Sequence, residues 1–107
     1  MKYAKVYFED VQVGDEIPPL VKGPIQQIQL TRYAGASGDF NPIHYRDDIA
    51  QSVGLPGVLA HGMLTMGLAV QPVVDWVGDP GRIADYQVRF TRPVVVDPES
   101  GATVDVT

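Results

Sequence analysis

Gly62-Met-Leu-Thr-Met-Gly-Leu-Ala-Val-Gln-Pro-Val-Val-Asp-Trp-Val77 has apolar side chains at nearly every turn position and almost no polar face. A helix that is apolar on nearly every side belongs in the middle of something. At ~1.5 Å rise per residue this run makes a helix about 24 Å long, enough to cross a small domain. Pro72 sits inside it and is expected to kink it rather than divide it, because the apolar pattern resumes at once. Gly78-Asp79-Pro80-Gly81 ends it. The methionines at 63 and 66 and Trp76 read as core filling.

Downstream, Arg82 to Val96 alternates in the manner of a long strand, with Ile83, Asp85, Gln87 and Arg89 opposite Ala84, Tyr86, Val88 and Phe90. Asp97 to Gly101 is a turn, and Ala102 to Val106 opens another strand. Upstream, residues 1–20 form an entry arm with a turn at Gly14-Asp15 and a stop at Pro18-Pro19. Ile25 to Leu30 reads as a strand, and Thr31 as the N-cap of a short helix over Arg32 to Ser37 that Gly38 stops. Asp47 or Asp48 caps a further short helix through Val53, ended by Gly54 and Pro56. The order is α+β, a sheet curled around one apolar helix. Two or three strands cannot enclose such a helix, so further strands or a partner subunit must cover it.

The 107 residues are read as a single domain spanning 1–107, with 45% apolar and 20% charged residues, as in a soluble globular protein. Without cysteine there is neither a disulfide nor thiol catalysis nor a thiolate metal site. A net charge of -5 disfavours nucleic acid, whose binding rests on neutralising phosphates. Arg46, Arg82, Arg89, Arg92 and Lys22 remain available for a local phosphate patch. The first ten residues lack the apolar centre of a signal peptide, and no window approaches ~18 apolar residues, so a cytoplasmic location off the membrane is expected.

The chemistry sits just before the apolar run. Tyr33-Ala-Gly-Ala-Ser-Gly-Asp-Phe-Asn-Pro-Ile-His44 places an acid, Asp39, and an imidazole, His44, around an Asn41-Pro42 turn. Pro42 fixes its own φ and drives Asn41 towards extended backbone, which stiffens the segment. Asp, Asn and Pro are ordinary turn residues, but the apolar Phe40 and Ile43 beside them suit a half-buried acid/base pair better than a solvated turn. His61-Gly62 opens the long helix. A simple cap accounts for it, and so does a backbone N–H aimed at a substrate carbonyl, where glycine lets the ligand approach. No helix carries metal ligands at matched spacing, so no metal is expected.

These two segments, the second continuing as Ala60-His-Gly-Met-Leu-Thr-Met-Gly67, resemble the MaoC-like (R)-specific enoyl-thioester hydratases. Trp76 to Gly81 and Tyr86 to Thr91 are similar to the HadB-type catalytic subunit of actinobacterial (3R)-hydroxyacyl-ACP dehydratases. The resemblance runs from about Val11 to the end. It implies a hot-dog fold, an antiparallel sheet wrapped around a long central helix, and a homodimer or a heterodimer with a related subunit. It implies Asp39 and His44 as the catalytic dyad and Gly62 as the carbonyl-binding amide. Ser37, Asn41 and His61 are the other expected substrate-site residues. The implied reaction is reversible syn addition of water to a trans-2-enoyl thioester, carried on CoA or acyl carrier protein, without a cofactor. Family members continue through further strands after the equivalent of Val96, so an incomplete sheet is expected here. A hot-dog acyl-thioesterase and a non-catalytic acyl-binding subunit remain as alternatives.

Overall fold

The computed structural model describes residues 6–107, so the leader reading and the first part of the entry arm lie outside the described residues. After a 3₁₀ turn at Phe8–Asp10 come β1 (Leu20–Ile25), α1 (Gln27–Ser37), a 3₁₀ turn at Pro42–His44 and α2 (Asp47–Ser52). Then follow α3 (Gly62–Ala69), α4 (Gln71–Val77), a 3₁₀ turn at Pro80–Arg82 and β2 (Ala102–Val106). The architecture is α+β. The turn at Gly14-Asp15 is present, with Gly14 at φ 95° and Asp15 accepting from the Gln12 amide.

β1 and β2 pair antiparallel, from Leu20 opposite Val106 to Ile25 opposite Ala102, with a register break between Lys22 and Ile25. Two glycines allow the close approach. A Cβ on Gly23, at φ 134°, would fall 2.7 Å from the Ala102 carbonyl oxygen. One on Gly101, at φ 73°, would fall 2.5 Å from that of Ile25. Only a residue without Cβ fits either position.

The strand expected over Ile25–Leu30 is a correction: β1 ends at Ile25 and α1 begins at Gln27. Gln26 and Gln29 form a reciprocal capping box, with the Gln26 amide donating to Gln29 Oε1 at 2.6 Å. Leu30 and Ala34, one helical turn apart, are both buried and form the core-facing stripe of α1. Thr31 is therefore interior to α1 and not its cap, whereas Gly38 does stop the helix in left-handed backbone at φ 76°. α2 forms where a short helix was expected, but Arg46 is its N-cap, so Asp47 and Asp48 are its first two residues and neither caps it.

The unbroken helix expected over Gly62–Val77 is also corrected. It divides at Val70 into α3 and α4, with Pro72 in the first turn of α4. Proline has no N–H to donate and its ring clashes with the carbonyl four residues earlier, whereas a first-turn position suits it. The amides of Val73 and Val74 both turn to the Val70 carbonyl and begin the second helix there.

The core comprises Ile25, Leu30, Val58, Ala60 and Val96, with Leu64 and Leu68 of α3 and Val94, Ala102 and Val104 packed against it. α3 is only half-buried along its length and Met63 is 62% exposed, so that methionine is not core filling. The long strand expected over Arg82–Val96 is not formed as a ladder. Val94–Val96 lies beside Val58–Ala60, bridging at Leu59 and Val95, while Ile83–Pro93 belongs to no strand. Alternation specifies extended backbone with two faces, but a strand also needs a neighbour to hydrogen-bond with. The accessible surface is 7707 Å², against roughly 5,800 Å² for a compact folded monomer of this mass. Among the described residues, Val13, Val21 and Val53 are apolar side chains left exposed.

Candidate active site

Helix α1 delivers the chain into the Asp39–His44 loop, and side chains of the loop itself fix its course. The Asp39 amide donates to Ser37 Oγ, the Asn41 amide to Asp39 Oδ1 and the Ile43 amide to Asn41 Oδ1, each at 3.2 Å. Asn41 thus caps the 3₁₀ turn that carries His44. A second segment clamps the loop from behind. The Leu59 amide donates to the Ile43 carbonyl at 3.0 Å, and the Val58 amide to Asp47 Oδ1 at 3.1 Å. Asp47 is therefore a tether between α2 and the Val58–Ala60 segment, a role with no local sequence signal.

His44 is buried, and its Nδ1 lies 2.7 Å from the Leu59 carbonyl oxygen. A carbonyl only accepts, so Nδ1 carries a proton, and in the neutral ring Nε2 presents a lone pair. That lone pair faces Asp39 Oδ2 across 3.8 Å, too long for a direct hydrogen bond. The Asp39 carboxylate is about half exposed, at 52%. One side of the pair is thus held rigidly inside the protein, and the other stands at the surface of a cleft.

His61 joins them. It is 2% exposed, stacks on His44 with ring centroids 3.8 Å apart and planes 18° apart, and takes the edge of Tyr33 at 4.7 Å. Its Nε2 donates to the Asp39 backbone carbonyl at 3.2 Å, which leaves Nδ1 as a buried acceptor with no donor among the described residues. Asp39, His44 and His61 bring donor atoms within 4.8 Å of one another, a convergence that helical spacing gave no reason to expect. A zinc ion with bonds of about 2.0–2.2 Å needs converging lone pairs. Two nearly parallel imidazoles hold theirs in planes that do not meet within that reach, so the arrangement suits proton transfer better than metal ligation.

Gly62 is the first residue of α3, with His61 as its N-cap. Its N–H is among the first-turn donors that a helix leaves without a carbonyl. A cleft of about 460 Å³ is lined by Tyr33, Ser37, Asp39, His61, Gly62, Met63 and Phe90. Of the residues singled out in the sequence, Ser37, Asp39, His61 and Gly62 line this cleft. His44 lies behind Asp39, and Asn41 is committed to the loop. Tyr33 opens the segment that carries the dyad and lines the cleft with Asp39, whereas Met63 was read as core filling and Phe90 as strand, and nothing local to those two marks a cleft. Arg46 and Arg82, two members of the supposed phosphate patch, are engaged elsewhere: Arg46 with Asp48, and Arg82 with the carbonyls of Val77 and Val6.

An acid/imidazole loop set against a helix N-terminus stands here in an α+β frame of the hot-dog class, the fold of its neighbours among solved structures. Residues 10–107 match the family described as the MaoC like domain, and the chain belongs to that family. It is 36% identical over 87 residues to the 3-hydroxyacyl-thioester dehydratase X of Mycobacterium tuberculosis, covering 81% of this chain and 30% of the relative. It is 34% identical over 102 residues to the (R)-specific enoyl-CoA hydratase of Rhodospirillum rubrum, covering 94% and 69%. Among solved structures, a MaoC-like dehydratase superposes with a TM-score of 0.86 at 46% identity, over 92% of this chain and 30% of that one. The chain therefore spans less than a third of the length of the mycobacterial relative and of this solved structure.

Proposed function

We propose that this chain is an (R)-specific enoyl-thioester hydratase, running in reverse as a (3R)-hydroxyacyl-ACP dehydratase, with Asp39 and His44 as its catalytic dyad. The observation that carries this reading is the 3.8 Å approach of His44 Nε2 to Asp39 Oδ2, with His44 Nδ1 fixed on the Leu59 carbonyl. A water molecule, or the 3-hydroxyl of the product, bridging the two atoms from beside the line that joins them meets both groups at once. In hydration the C3–O bond forms as water gives up a proton to the pair, and the pair returns a proton to C2 on the same face. Atoms and charge balance, and no redox partner is needed. The two groups act as one coupled unit. The Gly62 amide, at the positive end of α3, takes the thioester oxygen as negative charge builds there. Ser37 and Asn41 hold the loop, and His61 backs the His44 ring.

The names of the mycobacterial and Rhodospirillum relatives, a dehydratase and a hydratase of acyl thioesters, support the substrate class. Exposed apolar side chains such as Val21 on β1 support assembly with a second hot-dog subunit, identical or related. A thioesterase acting in the same cleft would release free thiol. The test follows loss of the conjugated enoyl-thioester absorbance while a thiol-reactive dye reports release of CoA. Loss of absorbance without thiol is the expected result. Thiol release at the same rate, or no reaction with enoyl-CoA or enoyl-ACP, overturns the proposal.

A further inference from the structure

Beyond the cleft, on the far side of Phe90, lies a recess of about 230 Å³ lined by Ala60, Gly62, Thr65 and Phe90 to Val94. Gly62 and Phe90 line both spaces. The tip of the Phe90 ring rests on Gly62: a methyl group there would lie 3.2–3.3 Å from Cζ, Cε1 and Cε2. The ring is therefore the wall between the two spaces, standing beside the amide expected to hold the thioester oxygen. It is a weakly held wall. Phe90 is 55% exposed and is carried on Ile83–Pro93, which joins no strand, so little burial is lost when the ring swings out. Apolar side chains and aliphatic stems surround much of the recess. The recess is open on one side, and its volume of about 230 Å³ leaves room for an alkyl segment lying along these side chains.

We propose that the Phe90 ring sets the acyl length accepted at this site. With the ring on Gly62, the cleft takes short enoyl thioesters. Longer chains enter only as the ring leaves and their tails pass into the recess between α3 and Arg92–Val94. The inference rests on the acyl-thioester reading above and adds to it the residue that selects among substrates. Phe90 is a specificity residue; it moves no proton.

The test compares kcat/KM for four-, eight- and twelve-carbon trans-2-enoyl-CoA in the wild-type chain, Phe90→Ala and Phe90→Leu. Calorimetric binding of butyryl-CoA and dodecanoyl-CoA, which cannot be hydrated, runs alongside. In Phe90→Ala the twelve-to-four-carbon ratio of kcat/KM rises by about tenfold or more, since a methylene or two in an apolar pocket is worth that much. Phe90→Leu, which keeps bulk but loses the flat ring, falls between and decides the matter if the alanine variant lacks a cooperative melt. The binding ratio moves in the same direction. Turnover with both ratios within twofold of wild type overturns the assignment of Phe90 and leaves the hydratase reading standing. A shifted binding ratio without turnover in any variant does the reverse. Neither binding nor turnover overturns both.

Discussion

The two halves of the site are held in opposite ways. The Asp39–His61 half is fixed from within: three side-chain caps shape the loop, Leu59 and Asp47 anchor it, and both histidines are buried. The Ile83–Pro93 half has the alternation of a strand but no ladder, and it leaves Val88 39% and Phe90 55% exposed. Polar residues that close hydrogen bonds over a few positions impose order wherever the chain goes. Apolar alternation imposes order only when a second surface arrives to cover it. The proposed catalytic groups therefore lie on the half held by its own hydrogen bonds, and the proposed specificity residue on the half without a ladder.

The sharpest way to break this comparison is to remove the dyad. Asp39→Asn and His44→Ala are each expected to lower kcat by roughly 10²–10⁴-fold in the enoyl-thioester assay, the usual scale for acid/base groups. Their stabilities should separate. Asp39 is half exposed, so its asparagine variant melts within a few degrees of wild type. His44→Ala leaves the Leu59 carbonyl without its donor and costs about 1–3 kcal/mol as well. Near-normal turnover in both variants would sink the assignment.

Stability sharpens the same contrast. Leu30 is fully buried in the anchored half, and Leu30→Ala should destabilise by about 2–5 kcal/mol in a denaturant titration. Val88→Ala, on the open half, should cost no more than about 0.5 kcal/mol in the isolated chain. A loss at Val88 comparable with that at Leu30 would mean that the open half is covered in solution. A backbone version of the test sits at the sheet, where Gly101→Ala forces a methyl group onto the Ile25 carbonyl from left-handed backbone. That variant should lose about 1–3 kcal/mol.

What the sequence made legible divides along the same line. Gly38 as a helix stop, the stiff Asn41-Pro42 turn, the Asp39/His44 pair and the final strand could be read because each depends on residues a few positions apart. Gln26 escaped notice because glutamine is an unusual N-cap, and its capping box with Gln29 turned an expected strand into the first turn of α1. Pro72 was read as a kink although a first-turn proline can equally open a new helix, as it does in α4. His61 stacking on His44, and Asp47 holding the Val58 amide, bring together residues 11 or more positions apart. No local pattern encodes such meetings. The strand expected over Arg82–Val96 failed for another reason: its alternation is real, but alternation describes a strand's faces and not its neighbour.

The smallest expected effect tests whether the anchoring by side-chain caps extends to the sheet. Asp97 closes the turn before β2, where its Oδ1 accepts from the amides of Glu99 at 2.8 Å and Ser100 at 2.9 Å. Those amides, Ser100 first, stabilise the carboxylate and hold its pKa below the ordinary aspartate value. A carboxyl whose pKa is lower folded than unfolded binds fewer protons in the native state. Its contribution is then fully present above the unfolded value of about 3.9, and is lost as pH falls through the lower folded value. Asp97→Asn keeps an acceptor but no charge, so its melting temperature should lie slightly below wild type at neutral pH, with the gap closing as the solution is acidified below about pH 4. A gap that stays constant down to about pH 2 would assign the turn to backbone geometry alone. It would confine capping by ionised side chains to places other than this turn.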